Sequence, residues 1–308
     1  MSSWRPAPRH FLKLSDLAKE ETEAILRRAK TLKAMRTRRE VFEPLRGRTL
    51  AMIFEKNSTR TRVSFEVGMA EMGGHALFLS AKDTHLGRGE PVEDVARVVS
   101  RMVDAVMIRT FAQKDLALFA KHSLVPVING LTDEYHPCQL LADLLTMEEK
   151  LGSLEDITVA WVGDSNNVCN SWIEAAKIFS FPLHIATPPR LEPEAARLAD
   201  ATSVRLFADP MEAASGADVV VTDVWTSMGF EKESEARKAL FSPYRVDQKL
   251  MAQARPRAIF MHCLPAHRGE EVEEEVLMGP QSAVWEEAEN RLHVQKALLE
   301  FLILENKE

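Results

Sequence analysis

Short apolar runs alternate with amphipathic segments along nearly the whole chain. In the first half, the runs that predict strands are TLAMIFE (49–55), HALFLS (75–80), DAVMIRT (104–110) and LVPVING (124–130). The segments with apolar residues at helical spacing are 17–35 (with Ser15 as its expected N-cap), 62–74, 91–102, 113–123 and 136–151. Strands that alternate with helices in this way predict a parallel sheet covered by helices on both faces.

The second half repeats the alternation. Its predicted strands are 156–164, 182–188, 216–225 and 257–265, and its predicted helices are 170–180, 192–202 and 290–307. The long helix 136–151 lies between the two series and is the predicted connector. The pattern therefore predicts an α/β protein of two domains, each a parallel β-sheet flanked by helices, linked by long interdomain helices.

Composition narrows the classes of function. The chain has 308 residues and a formal net charge of −7, which argues against general binding to nucleic acid or to an anionic membrane. No apolar run approaches the length of a membrane span, and the N-terminus lacks the apolar core of a signal peptide, so we expect a cytoplasmic protein. The three scattered cysteines form no CxxC pair, and no His/Cys/Asp cluster has metal-ligand spacing, so we expect neither a metal nor a cofactor.

The segment Ser58-Thr59-Arg60-Thr61 places hydroxyls and positive charge where a strand passes into a helix. In open α/β sheets ligands collect at the carboxyl ends of strands, and a helix N-terminus there offers unpaired N–H groups and partial positive charge. The segment is therefore a candidate cradle for a tetrahedral anion, with Arg60 adding a charge-assisted contact. The alternative is an ordinary capped helix with solvated arginines.

Two further strand ends in the first half carry polar side chains. Arg109 ends the strand 104–110, and His136 and Gln139 follow the strand 124–130. Alone, His136 beside a proline is more typical of a capping histidine than of a catalyst. Because carboxyl ends of parallel strands share one edge of a sheet, we expect these groups to converge with the anion cradle.

Three motifs, S-T-R-T-R (58–62), H-P-C-Q (136–139) and H-C-L-P-A-H-R-G (262–269), together resemble the transcarbamoylase family in order and separation, over essentially the whole chain. The segment D-V-W-T-S-M-G (223–229) and the H-C-L-P sequence are similar to the ornithine branch of that family rather than to the aspartate branch. Cys138 departs from the family pattern, where threonine or alanine is commoner, but His136 and Gln139 keep their spacing.

The resemblance implies transfer of the carbamoyl group of carbamoyl phosphate to the δ-amine of L-ornithine, a step of arginine biosynthesis or of a urea-cycle-type route. It implies a carbamoyl phosphate domain (1–138), an ornithine domain (139–289) and a C-terminal helix (290–308) that packs back on the first. Its implied carbamoyl phosphate contacts are Ser58, Thr59, Arg60, Thr61, His85, Arg109, His136, Gln139, Cys263, Leu264 and Arg291. Its implied ornithine contacts are Asn167, Asp223, Ser227 and Met228, and Cys263 with Leu264 would lie where the two substrates meet.

The resemblance also implies a homotrimer, or a multiple of trimers, in which His85 reaches the site of a neighbouring subunit. The expected catalytic groups are Arg109, His136, Asp223 and Cys263. Between Asp223 and Cys263, the sequence leaves open which one helps to deprotonate the amine. No metal and no covalent intermediate are required, since carbamoyl phosphate is already activated.

Three other functions remain as alternatives. A dinucleotide-dependent oxidoreductase is disfavoured because G-D-S-N-N (163–167) has only the first of the three glycines of that fingerprint. A carbamoyltransferase for aspartate or putrescine is a nearer alternative, and a non-catalytic homologue is the third.

Overall fold

The chain forms two compact units. The structure is a computed structural model that describes residues 7–80, 89–225 and 234–304. Unit 1 comprises Met1–Leu141 with Arg291–Glu308, and unit 2 comprises Ala142–Asn290. The predicted breaks, after residues 138 and 289, fall inside the same two helices as these divisions, Pro137–Leu151 and Val284–Leu304.

Unit 1 is built on a four-stranded parallel sheet of order β2-β1-β3-β4. Its strands are β1 Thr49–Phe54, β2 His75–Ser80, β3 Ala105–Arg109 and β4 Val127–Leu131. Its helices are α1 Lys19–Thr37, α2 Thr59–Glu71, α3 Val92–Val99 and α4 Gln113–His122, with α5 Pro137–Leu151 leading out of the unit. Because β1 and β3 are covered on both faces, they read in the sequence as almost continuous apolar runs.

Unit 2 has a five-stranded parallel sheet of order β7-β6-β5-β8-β9. Its strands are β5 Val159–Val162, β6 Leu183–Ala186, β7 Val204–Phe207, β8 Val219–Thr222 and β9 Ile259–His262. Its helices are α6 Asn167–Phe179, α7 Ala195–Leu198, α8 Pro210–Ala214, α9 Ser234–Phe241, α10 Gln248–Met251 and α11 Glu274–Leu277, and α12 Val284–Leu304 returns the chain to unit 1. The predicted fold class, two parallel-sheet α/β domains flanked by helices, is confirmed.

The order of strands in each sheet creates one point where the direction of winding reverses. In unit 1 the chain moves from β1 outward to β2 and then crosses to β3 on the other side of β1. In unit 2 it moves from β5 outward through β6 and β7 and then crosses to β8. The crevice outside the carboxyl ends of the two strands at such a point is where open α/β sheets bind ligands.

At the amino ends of these strands, each unit has an aspartate that accepts a backbone N–H and pairs with an arginine. Asp104 accepts the N–H of Thr49 at 2.8 Å and pairs with Arg48 at 2.6 Å. Asp218 accepts the N–H of Thr158 at 2.9 Å and pairs with Arg255 at 2.8 Å. Each aspartate thus locks the amino ends of the two central strands in register, which leaves the carboxyl ends for function.

One local prediction is wrong, and several short elements escaped the sequence pattern. Ser15 does not cap α1, because Asp16 accepts the N–H groups of Leu12 and Lys13 and closes a separate 3₁₀ turn over Leu14–Asp16. The first helix therefore begins at Lys19, and Glu21 accepts the N–H of Ala18. The missed elements include the edge strand β7, whose side chains are either half-exposed or exposed and give no clear apolar run. In the part of the chain that the structure describes, none of the helices could span a membrane.

Candidate active site

In unit 1, the turn from β1 into α2 has the form expected of an anion cradle. Ser58 is the N-cap of α2, and its Oγ accepts the N–H of Thr61 at 3.3 Å. Ser58 is in extended conformation, so the chain turns sharply and presents the first amides of the helix beyond the end of β1. The predicted passage from strand to helix at Ser58 is thus confirmed.

Two buried arginines converge on the hydroxyl of Thr61. Arg109 Nη1 donates to Thr61 Oγ1 at 3.5 Å, and Arg291 Nη2 donates to the same oxygen at 3.2 Å. Arg291 Nη1 also donates to Gln139 Oε1 at 2.8 Å. Thr61 is fully buried, and the two arginines are 6% and 3% exposed. In each of these three contacts the acceptor is a neutral oxygen.

The sheet accounts for the position of Arg109. It is the last residue of β3, paired in register with Phe54 at the end of β1 on one side and with Leu131 of β4 on the other. It therefore lies at the reversal point of the sheet, next to the start of α2. Arg291 comes from the far end of the chain, on α12, and only the resemblance to the transcarbamoylase family predicted its part in the site.

Burial and positive charge together keep His136 neutral. The residue is 4% exposed, and burial lowers its pKa well below the usual value. The guanidinium groups of Arg291, Arg109 and Arg60 lower the pKa of His136 further. A neutral imidazole can still donate one N–H to a carbonyl oxygen, and in this field it has little tendency to take a proton away.

Cys138, between the predicted ligands His136 and Gln139, has a different role. Its Sγ lies 3.4 Å from the carbonyl oxygen of Asn129 in the core, and burial raises the pKa of its thiol to about 12. The residue is a buried packing group, so the departure from the family pattern at this position leaves the cluster of arginines and His136 unchanged.

In unit 2, a second polar cluster lies at the reversal point between β5 and β8. Asp223 follows β8 and is 7% exposed. Its Oδ1 accepts the S–H of Cys263 at 3.2 Å, and its Oδ2 accepts the Nδ2–H of Asn166 at 2.6 Å. The cluster therefore gathers the residues that follow β5, β8 and β9 around one carboxylate.

The thiol of Cys263 is held in its protonated form. Burial raises its pKa well above the usual value, and the negative charges of Asp223, Glu287 and Asp143 raise it further. The S–H is thus a hydrogen-bond donor to Asp223, and this environment opposes both a thiolate nucleophile and a thiolate base. Of the two groups that the sequence left open, Asp223 is the one with the chemistry of an acceptor.

Asn166 is a site residue that the sequence analysis missed. Its Oδ1 caps α6 by accepting the N–H groups of Val168 (2.9 Å) and Cys169 (3.1 Å), while its Nδ2 binds Asp223. The predicted ligand Asn167 is the first residue of α6, immediately after it. Gly163 makes this turn possible, since its φ of +136° is open only to glycine and a Cβ there would approach Thr222 Oγ1 to 3.2 Å.

An arginine binds the residue that precedes the segment with the remaining predicted ornithine contacts. Arg237 of α9 donates from Nε to the carbonyl oxygen of Trp225 at 2.8 Å and from Nη2 to Asp164 Oδ2 at 2.6 Å. The predicted contacts Ser227 and Met228, and the predicted intersubunit residue His85, lie outside the described residues.

Leu264, next to Cys263, is held in an unusual conformation. Its φ is +57°, which is uncommon for a residue with a side chain, and its N–H donates to His262 Nδ1 at 2.9 Å. His262 Nε2 in turn lies 3.2 Å from Glu271 Oε1. Asp223, His262 and Cys263 could each offer one ligand atom to a metal ion, but all three make these hydrogen bonds in the structure.

Comparison with known protein families assigns each half of the chain. The carbamoyl-P binding domain of the aspartate/ornithine carbamoyltransferases matches residues 9–149, and the Asp/Orn binding domain of the same family matches residues 155–302.

Individual relatives cover almost the whole chain. The chain is 62% identical over 297 residues to an ornithine carbamoyltransferase of Halorhodospira halophila, covering 96% of this chain and 99% of the relative. Two solved structures are also similar. The ornithine carbamoyltransferase of Burkholderia thailandensis has a TM-score of 0.90 at 54% identity (96% and 99% of the two chains), and that of Pyrococcus furiosus has 0.93 at 48% (97% and 98%).

Proposed function

The chain belongs to the aspartate/ornithine carbamoyltransferase family, and from that premise we propose how its residues act. It is an enzyme that transfers the carbamoyl group of carbamoyl phosphate to the δ-amino group of L-ornithine, giving L-citrulline and phosphate. The neutral amine forms a C–N bond to the carbamoyl carbon, the C–O bond breaks with its electron pair leaving on phosphate, and the proton that the nitrogen then loses passes to that phosphate.

The observation that carries the proposal is the pair of polar clusters at the reversal points of the two sheets. Unit 1 presents positive charge and a helix N-terminus, which suits a phosphate. Unit 2 presents a carboxylate with two donors already bound, which suits an amine. Each unit therefore offers the complement of one substrate.

In unit 1, we assign the phosphate to Ser58, Thr59, Arg60 and Thr61 at the start of α2. We assign the carbamoyl end of the same substrate to Arg109, His136, Gln139 and Arg291. Neutral His136 is suited to donate to the carbamoyl oxygen, where negative charge develops as the amine attacks. Arg60 and the helix N-terminus stabilise the departing phosphate. Preorganised donors of this kind contribute on the order of 3 kcal/mol each to lowering the barrier.

In unit 2, we assign ornithine to Asn167, Asp223, Ser227 and Met228, with Cys263 and Leu264 beside the reacting groups. Asp223 is the acceptor that holds the δ-ammonium group and takes the proton that this group must lose before it attacks. The S–H of Cys263 and the amide of Asn166 fix the two oxygens of that carboxylate in place. Cys263 thus acts as a donor that orients Asp223.

The test of this assignment is an initial-rate assay of amine carbamoylation. With saturating carbamoyl phosphate, we expect citrulline and phosphate to form in equal amounts, and kcat/KM for ornithine to exceed those for putrescine and aspartate by at least about 100-fold. Comparable rates with putrescine would show that the groups assigned to the α-amino acid part of ornithine do not select the substrate. Comparable rates with aspartate would place the chain in the other branch of the family.

We expect Asn166→Ser to weaken ornithine binding while preserving the fold. Serine is also a good N-cap, so α6 keeps an acceptor for its first amides, whereas Asp223 loses its donor at 2.6 Å. A hydrogen bond to a charged group contributes about 1.5–3 kcal/mol, so the KM for ornithine should rise roughly 10- to 100-fold. The KM for carbamoyl phosphate and the melting temperature serve as controls. An unchanged KM for ornithine would mean that Asn166 only caps the helix.

We also propose a cyclic trimer, or a multiple of trimers, in which His85 completes the carbamoyl phosphate site of a neighbour. The surface of unit 1 supports self-association, since it exposes large apolar side chains, one of them on edge strand β2. These are Val63, Leu77, Val98 and Met102, of which Met102 is 76% exposed. An unpaired strand edge with apolar neighbours is a surface that proteins normally cover.

Mixed assembly tests whether sites are shared. Arg60→Ala chains and His85→Ala chains are dissociated, mixed in equal amounts and reassembled. An intact site needs the cradle of a His85→Ala chain facing His85 of an Arg60→Ala chain, and each condition holds half of the time. About a quarter of the sites should then regain activity in a closed ring. Activity no greater than the average of the two parents, measured separately, would show that each chain builds its own site.

A further inference from the structure

We propose that His267, Glu270 and Glu271 form a binding site for a divalent transition ion of the zinc type. One ligand atom from each residue lies within 4.8 Å of the other two. The imidazole of His267 is half exposed, which gives the site access to solvent, while Glu271 is fully buried. An imidazole with two carboxylates is a ligand set that zinc accepts, with water in the remaining position.

The buried carboxylate of Glu271 points to a missing ligand. Its Oε1 accepts the N–H of His267 at 2.6 Å and lies 3.2 Å from His262 Nε2. Its Oε2 is inaccessible to solvent and makes no hydrogen bond to any residue that the structure describes. A buried carboxylate oxygen without a donor is costly, and it lies 3.8 Å from His267 Nδ1. Two ligands of one tetrahedral zinc ion are separated by about 3.4 Å, so this pair needs little movement.

The third ligand, Glu270, already binds a cation of the protein. Glu270 forms an ion pair with Lys238 of α9 at 2.9 Å, and this contact raises the pKa of the lysine, which therefore stays charged. An exposed pair of this kind contributes little to stability, so a divalent ion can displace it. Removing the charge of Lys238 should accordingly strengthen metal binding rather than weaken it.

The site is separate from the residues assigned to the substrates but connected to them. Glu271 also orders His262, whose Nδ1 accepts the N–H of Leu264. An ion on Glu271 would therefore fix the segment 267–271 against the end of β9. This connection uses groups of unit 2 alone and does not depend on the proposed reaction.

Calorimetric titration of the full-length, substrate-free protein with Zn²⁺ tests the proposal. Cys263→Ser serves as the background, because it removes the thiol of the neighbouring Asp223–His262–Cys263 group. We expect about one ion per chain, at least tenfold weaker binding after His267→Ala, and about two- to fivefold tighter binding after Lys238→Met. His75→Ala, which removes a histidine of edge strand β2 in unit 1, is the matched control and should change nothing.

Three results would overturn the proposal. They are the absence of stoichiometric binding at millimolar Zn²⁺, the same affinity after His267→Ala, and binding by the unmodified chain that disappears in Cys263→Ser. The last would place the ion on the thiol group instead. Because His267 and Lys238 both lie on the surface, their variants should fold, and unchanged melting temperatures without metal will confirm that.

Discussion

Replacing Arg60 by alanine is expected to weaken carbamoyl phosphate binding by about 100-fold or more. Arg60 lies in the first turn of α2, and its charge acts on buried His136, so it shares the field of Arg109 and Arg291. Losing a charged contact to a multiply charged anion in a partly desolvated site costs about 2–5 kcal/mol. Calorimetry with carbamoyl phosphate in the absence of ornithine measures this directly.

Arg62, two residues further along the same helix, provides the matched control. Its guanidinium pairs with Glu66 at 2.9 Å and lies 4.0 Å from the centre of the Phe78 ring, and its side chain is about half exposed. Arg62→Ala should therefore leave the affinity for carbamoyl phosphate within about twofold. If a folded Arg60→Ala variant binds as tightly as Arg62→Ala does, the start of α2 is an ordinary capped helix.

Asp223→Asn is expected to lower kcat/KM for ornithine by about 100-fold or more and to leave carbamoyl phosphate affinity within about twofold. The change keeps the size of the side chain but removes the negative charge that receives the δ-ammonium group. Removing one partner of a desolvated charge pair costs about 2–5 kcal/mol. The two substrates are assigned to different units, so only one should be affected.

Asp218→Asn is the control for Asp223→Asn. Asp218 lies at the opposite end of the same strand, where it accepts the N–H of Thr158 and pairs with Arg255. Its replacement should lower the melting temperature but leave kcat/KM per folded molecule unchanged. If Asp223→Asn instead abolished carbamoyl phosphate binding and spared ornithine, the assignment of substrates to the units would be reversed.

The fold was predictable because each central strand is buried on both faces. The run TLAMIFE becomes β1, and DAVMIRT becomes β3, with only the ends trimmed. Elements that are short or half-exposed left no such pattern. In β7, half-exposed and exposed side chains are mixed, so no apolar run marks the strand. The turn at Leu14–Asp16 depends on one aspartate side chain, which replaces the expected helix cap.

The candidate site was predictable where its chemistry is local in sequence. Ser58 and Thr61 are three residues apart, and their hydrogen bond follows from helix geometry. Arg291, by contrast, lies 152 residues from Gln139, so only resemblance to a family could bring them together before the fold was known. Asn166 was missed because its capping role and its contact with Asp223 use different atoms of one amide.

Protonation states were beyond the reach of the sequence. A cysteine beside an aspartate could be read either as a base or as a donor. In the structure, desolvation raises the pKa of the Cys263 thiol, and the carboxylates of Asp223, Glu287 and Asp143 raise it further, which favours the role of donor. His136 is the converse case, since its pKa falls through burial and three arginines. For both residues, the pKa shift is the combined effect of several groups that the fold brings together.

The most direct test of the account is to find which nitrogen receives the carbamoyl carbon. Carbamoyl phosphate labelled with ¹³C is incubated with the enzyme and equal amounts of δ-¹⁵N-ornithine, putrescine and aspartate, and the products are followed by NMR. The account predicts one major product, whose ¹³C resonance is split by one-bond coupling to ¹⁵N. An unsplit product resonance, or label in carbamoyl-putrescine or carbamoyl-aspartate, would contradict it.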